Sequence, residues 1–280
     1  MNKEFTLNNG VKLPAIVYGS YLSTTGRGYE TVLDALNCGY RCIDTAYMYQ
    51  NEKEIGRAME EFGGKREDLF IASKVWPSRF GYEETVKCFR ESLENLGTKY
   101  LDLYLIHWPK LNQKDEKWLS KMLDTWRAME DLYEEGQIKA IGVSNFLPYH
   151  LKPLLDTARI KPMVNQLELH AGYMQWKAVE YSKANNIQVQ AWSPLGRGAL
   201  LNVPLVVFLA GKYDKTPAQI LLRYLLDKDI AILPKASSKE RMLENLDLFD
   251  FDIEESDIWR LDCMPQIGFS GEHPDTVDFK

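Results

Sequence analysis

Apolar and polar positions follow one another along this chain in two rhythms. Short, almost uninterrupted apolar runs recur at 15–18, 40–44, 69–74, 101–107, 138–143, 163–167, 188–192 and 230–233. Runs this short, rich in Ile, Leu and Val, read as strands buried on both faces. Between them apolar residues return every three to four positions, as at 30–36, 51–61, 83–96, 122–135, 177–184 and 217–226, which predicts amphipathic helices. Thr216-Pro217 supplies a helix start, a capping hydroxyl followed by a proline in the first turn. Ahead of the first run, Phe5-Thr-Leu-Asn-Asn-Gly10-Val-Lys-Leu13 predicts a hairpin with an Asn-Gly turn. Eight strand–helix alternations predict an α/β fold, a (β/α)8 barrel of the TIM type preceded by an N-terminal β-hairpin. A doubly wound open sheet is the alternative. It is weakened because no run is followed by GxGxxG; Gly26-Arg-Gly28 and Gly196-Arg-Gly198 lack the third glycine and read as plain loops.

Composition narrows the picture. The chain's 280 residues suit one domain, 1–280, since such a barrel takes about 250 residues. A net charge of −6 argues against a nucleic-acid partner. Cys38, Cys42, Cys88 and Cys263 form no CxxC pair and no disulfide framework, and read as reduced thiols packed as small hydrophobes. The N-terminus shows no signal-peptide pattern, and no apolar run approaches the roughly 18 residues of a membrane span, so the expectation is a cytoplasmic protein without a membrane partner. His150, His170 and His273 are too scattered to predict a metal site, and HExxH, P-loop and GxSxG motifs are absent.

Candidate chemistry gathers at the ends of the apolar runs. Asp44 follows Arg41-Cys-Ile43, Tyr49 comes five residues later, Lys74 closes the run at 69–74, and His107 closes that at 101–107. Residues at the C-terminal ends of barrel strands share one mouth. Taken singly, each has an ordinary explanation: a packed tyrosine, a solvated lysine, a helix-capping aspartate, a satisfied histidine. Together they suit the reduction of a carbonyl group, in which the oxygen that receives negative charge needs a proton and electrostatic stabilisation. Tyr49 would be the acid. Lys74 would lower its pKa from about 10, Asp44 would anchor the lysine, and His107 would orient and polarise the carbonyl.

The surrounding motifs resemble those of the aldo-keto reductases. They are Asp44-Thr-Ala-Tyr-Met-Tyr49 with Asn51-Glu52, Ser73-Lys-Val-Trp76, Leu105-Ile-His-Trp-Pro109, Gly142-Val-Ser-Asn-Phe146, Asn165-Gln-Leu-Glu-Leu-His170, Trp192-Ser-Pro-Leu-Gly-Arg-Gly198, and the stretch from Leu233-Pro-Lys-Ala-Ser-Ser to Asn245. The resemblance runs over nearly the whole chain, in family order, and is strongest to prokaryotic diketogluconate-reductase-like and prostaglandin-F-synthase-like members. It implies a barrel that uses NADPH without a Rossmann domain, on small-molecule carbonyl substrates, as a monomer. It implies the catalytic set Asp44, Tyr49, Lys74 and His107. It further implies that Ser144, Asn145 and Gln166 hold the nicotinamide carboxamide, with Asp44 beside it, and that Trp192 stacks on the ring. Ser193 and Leu195 match pyrophosphate contacts, Lys235 and Arg241 a 2′-phosphate clamp, and Glu244 and Asn245 adenine contacts. Tyr21, Met48, Trp76 and Trp108, with His107, would line the substrate pocket.

Two departures from the family pattern matter. Ala236 stands where a Ser or Thr is usual beside the phosphate-binding lysine, a loss of one hydrogen bond worth about 1 kcal/mol, which Ser237 partly offsets. Gly19-Ser-Tyr21 replaces the more frequent Gly-Thr-Trp, which changes the pocket wall and not the reaction. The tail from Met264 to Pro274, short and rich in Gly and Pro, predicts an open mouth that accepts many small carbonyls. The expected activity is therefore NADPH-dependent reduction of aldehydes and activated ketones, including dicarbonyls and keto-sugars. The alternatives are an NADP(H)-binding redox sensor with low turnover and an unrelated barrel hydrolase or isomerase.

Overall fold

The computed structural model describes residues 3–21 and 28–279. Gly26 and Arg27 of the first partial glycine motif lie outside the described residues. A hairpin of β1 (Glu4–Thr6) and β2 (Lys12–Pro14), with Phe5 opposite Leu13, comes first. Eight parallel strands follow: β3 (Tyr18–Gly19), β4 (Cys42–Asp44), β5 (Phe70–Val75), β6 (Leu103–Ile106), β7 (Ile141–Ser144), β8 (Val164–Glu168), β9 (Gln188–Trp192) and β10 (Ala231–Leu233). They pair in chain order, and a parallel bridge from Ile16 to Ile232 brings the last strand back to the first. The predicted barrel is thus observed and the doubly wound alternative is excluded. The first strand is shifted from the expected 15–18, because Val17 and Gly19 donate to the carbonyls of Ile232 and Pro234 while Ala15 still pairs with Lys3.

The helices α1 (Gly28–Cys38), α2 (Glu52–Phe62), α3 (Tyr82–Leu96), α4 (Trp118–Glu134), α5 (Pro148–Thr157), α6 (Trp176–Ala184), α7 (Pro204–Tyr213), α8 (Pro217–Asp227), α9 (Lys239–Leu246) and α10 (Glu255–Asp262) complete the chain. Most of them form the outer ring, burying their apolar stripes against the strands. Thr216 does cap α8, in a reciprocal box with Gln219. Central strands such as β5, β6 and β7 are buried along their whole length, which explains why their sequences read as apolar runs rather than alternating ones. Gly142 is required inside β7: a Cβ there would come within 2.6 Å of the Val164 carbonyl oxygen.

The hairpin seals the N-terminal end of the barrel. Leu7 and Leu13 are buried, and Asn8 donates to the carbonyls of Pro162 and Asn186 just ahead of β8 and β9. Asn9 does the same to Lys139, ahead of β7. Barrels of this kind build their sites at the opposite, C-terminal end. Among the described residues no helix is long and apolar enough to cross a membrane.

Candidate active site

Asp44 ends β4, Lys74 is the penultimate residue of β5, and His107 directly follows β6. Neighbouring strands in register therefore deliver all three to one rim. Tyr49 arrives differently, through a single 3-10 turn at Tyr47–Tyr49 backed by a left-handed Gln50 (φ 55°). The fully buried Lys74 ammonium donates to Asp44 Oδ1 at 2.5 Å and to the Thr45 carbonyl at 3.0 Å, and lies 3.5 Å from the Tyr49 hydroxyl. The second Asp44 oxygen accepts from Gln166 Nε2 at 2.9 Å, and the same amide nitrogen donates to Gln190 Oε1 at 3.1 Å. His107 stands edge-on to Tyr49, with ring centroids 5.5 Å apart, and to Trp76 at 5.0 Å. Its carbonyl accepts from Asn145 Nδ2 at 3.0 Å, and its Nδ1 has no hydrogen-bond partner among the described residues.

Electrostatics set the protonation states. Burial, then the charge of Asp44, then Tyr21 and Glu272, push Tyr49 well above the ordinary tyrosine pKa. The lowering expected from Lys74 is outweighed. The lysine is engaged at 2.5 Å by Asp44, so the phenol faces a compensated ion pair and desolvation prevails. Burial pushes Lys74 down against the opposing pull of Asp44. Burial, and after it the Lys74 charge, holds His107 well below the usual histidine range. At neutral pH the site thus presents a protonated phenol, a neutral imidazole and a paired ammonium.

A stability signature follows. His150, also buried, is lowered to about 3, by burial first and then by Lys110 and His273. A histidine with a depressed folded pKa binds protons more readily when unfolded, so its stability contribution is full above about pH 6.5 and is lost as pH falls. The melting temperature should drop steadily from about pH 7 to pH 4.5, with each of these histidines removing up to about 1.4 kcal/mol per pH unit. Thermal melts at constant ionic strength read this directly, and a flat profile would contradict the buried neutral state.

The residues assigned to a cofactor fall into two groups. In the first, Ser144 ends β7 and Asn145 follows with φ 63°. Ser144 Oγ donates to the Gln166 carbonyl at 2.9 Å, and the Trp192 indole N–H donates to Asn145 Oδ1 at 2.9 Å. This bond ties one edge of Trp192, which stays partly exposed, as do Ser193 and Leu195 after it. In the second group, Lys235 and Ser237 are exposed in the turn after β10, and Arg241 is exposed on the first turn of α9, whose N-cap is Ser238. Lys239 pairs with Asp34, whereas neither Lys235 nor Arg241 has an ion-pair partner among the described residues. Ala236 is buried, its carbonyl accepting from the Tyr18 hydroxyl at 2.9 Å. Glu244 accepts from the Thr216 hydroxyl, and Asn245 is buried beside Tyr40.

Comparison with known proteins agrees over the length of the chain. The sequence model of the aldo/keto reductase family matches residues 24–264. This chain belongs to the aldo/keto reductase family. It is 44% identical over 274 residues to the glyoxal reductase of Bacillus subtilis, covering 98% of this chain and 96% of that protein. It is 40% identical to the 9,11-endoperoxide prostaglandin H2 reductase of Trypanosoma cruzi, covering 96% of this chain and 94% of that one. The structure of a Bombyx mori aldo-keto reductase complexed with NADPH is similar, with a TM-score of 0.87 at 37% identity, covering 96% of this chain and 89% of that chain.

In this aldo/keto reductase the mouth is walled unevenly. Trp76 and Trp108 are buried on one side, with Met48 packed against their cluster. On the other side Tyr21 is 42% exposed, with its ring centroid 4.9 Å from that of Tyr49. The tail reaches the tryptophan side of the mouth. The tail continues past Pro274, and Phe279 packs against Trp76 at 4.7 Å and Trp108 at 5.2 Å, with Val277 buried in the same cluster. The sequence reading passed over Phe279, Val277 and Gln190. Gln190 left a signal, a polar residue in the middle of an apolar run; Phe279 is a lone aromatic near the chain end and left none.

Proposed function

We propose that this aldo/keto reductase uses NADPH to reduce aldehydes and activated ketones, small dicarbonyls and keto-sugars among them, with Tyr49 as the proton donor. The observation that supports it most is the buried chain from Gln166 through Asp44 and Lys74 to the Tyr49 hydroxyl, beside a neutral His107. The glyoxal reductase of Bacillus subtilis and the NADPH-complexed Bombyx mori protein support the substrate class and the cofactor by analogy.

The residues present fit the cofactor. Lys235 just ahead of α9 and Arg241 in its first turn, both without an ion-pair partner among the described residues, suit a phosphate, since the helix N-terminus adds free N–H groups and a positive dipole end. An indole held by one edge and partly exposed suits a stacked aromatic ring. NADPH, when bound, supplies the hydride. Ser144, Asn145 and Gln166 would orient its carboxamide, Trp192 would support the ring, and Ser193 and Leu195 would flank the pyrophosphate. Lys235, Ser237 and Arg241 would take the 2′-phosphate, and Glu244 and Asn245 would border the adenine. His107, uncharged, holds the carbonyl oxygen in line with Tyr49. Tyr49 keeps its proton through the neutral range and delivers it to that oxygen as charge develops there, and Lys74 steadies the phenolate left behind.

The test is NADPH oxidation by the purified protein with a panel of aldehydes, α-dicarbonyls and keto-sugars. Turnover on several members supports the reading; tight NADPH binding without turnover on any of them moves it to a redox sensor. A further expectation concerns cofactor choice. Arg241→Ala should weaken NADPH binding at least tenfold by removing a charge-assisted phosphate contact, and should leave NADH binding unchanged. Titrations of both cofactors at low and high salt read this, and the NADPH affinity of the native protein should fall as salt rises.

A further inference from the structure

Glu168, the last residue of β8, carries a carboxylate that is almost fully buried. Among the described residues no lysine or arginine pairs with it; the nearest basic atom is His170 Nε2 at 3.7 Å. A buried carboxylate is costly unless its oxygens are hydrogen-bonded. Both oxygens here are served by one residue of the C-terminal tail. Ser270 donates its N–H to Oε1 at 2.8 Å and its hydroxyl to Oε2 at 2.7 Å.

The seat around this anchor is built for close approach. A Cβ on Gly172 (φ 84°) would lie 2.8 Å from the Pro265 carbonyl oxygen, and one on Gly268 (φ 80°) would lie 3.1 Å from His170 Cε1 and 3.5 Å from Gly196 Cα. Past Ser270 the tail makes an exposed ion pair between Glu272 and Arg197 at 2.7 Å, which is worth little alone. It then reaches Phe279, which stands against Trp76 and Trp108. The half-buried Ser270 therefore ties the tail to a barrel strand, and the far end, where the Phe279 N–H also donates to the Leu111 carbonyl at 3.1 Å, forms part of the mouth.

We propose that Glu168 is a positioning residue for substrate selection: by holding the chain at Ser270 it sets where Phe279 stands, and so the size of the group that the mouth admits beside the carbonyl. The proposal rests on the carbonyl-reductase reading above. Phe279→Ala should shift the ratio of kcat/KM values for phenylglyoxal over methylglyoxal upward by about tenfold, the scale on which a hydrophobic wall discriminates. Glu168→Gln keeps the shape but loses the charge and faces the Ser270 N–H with an amide. It should shift the ratio the same way by about fivefold, and Ser270→Ala by about threefold, as expected for lost hydrogen bonds. The double variant Glu168→Gln with Phe279→Ala should shift it no further than Phe279→Ala alone, because both act through one side chain.

Amide exchange of residues 268–279 is read in parallel on the protein without substrate, and should quicken in Glu168→Gln and Ser270→Ala. Ser270→Ala serves if Glu168→Gln does not fold. Equal loss of activity on both dicarbonyls, or unchanged exchange in the tail, overturns the proposal. If the native protein reduces no member of the carbonyl panel, the carbonyl reading fails on its own account, and the exchange arm still decides the anchor.

Discussion

Tyr49→Phe is expected to lower kcat for carbonyl reduction by about 10³-fold while NADPH binds as before. The substitution removes one oxygen and keeps the ring, so the contacts with Tyr21 and His107 persist. What is lost is the proposed proton donor, the hydroxyl that stands 3.5 Å from the Lys74 ammonium. Because burial and Asp44 hold the phenol protonated, kcat/KM of the native protein for reduction should also stay level from about pH 6 to 9. Alcohol oxidation, which needs the phenolate, should rise with pH over the same range. Near-native turnover in the Phe variant would remove Tyr49 from the mechanism.

Lys74→Met is expected to damage both chemistry and stability. The ammonium is the only cation touching Asp44 among the described residues, and both groups are buried. Taking it away leaves a buried carboxylate with the Gln166 amide at 2.9 Å as its remaining side-chain partner, a cost of about 3–5 kcal/mol. Turnover should fall by at least about 10²-fold, since the phenolate left after proton transfer is no longer stabilised. The two effects separate in the double variant with Asp44→Asn, which should regain much of the melting temperature and none of the activity. Denaturant melts and steady-state rates on the same preparations decide the matter. Full recovery of turnover in the double variant would show that the pair is structural scaffolding alone.

Much of this site was legible in the chain because its signals are local. Asp44, Lys74 and His107 each close an apolar run, and strand ends in a parallel barrel must meet. The capping box at Thr216 was equally plain. What stayed hidden depends on distant neighbours. The strand read at 138–143 pairs continuously only over Ile141–Ser144, with an isolated bridge at Ile138, because its partners set where the ladder begins. The direction of the Tyr49 shift depends on how near Asp44 stands to Lys74 and on how little water reaches the ring. The Gly- and Pro-rich composition of the tail gave no sign that Ser270 finds a buried carboxylate 102 positions earlier in the chain.

The bridge between Ile16 and Ile232 has a consequence for how the protein is made. Its two halves are separated by 232 − 16 = 216 positions. A chain emerging from the ribosome can assemble its early strands in order, but the ring closes only when the last strand has left the exit tunnel. Until then the first strand presents an unpaired edge, and Asp44, Tyr49 and Lys74 sit at an unfinished rim. Truncated chains ending before residue 231 should accordingly recruit chaperones and aggregate during synthesis.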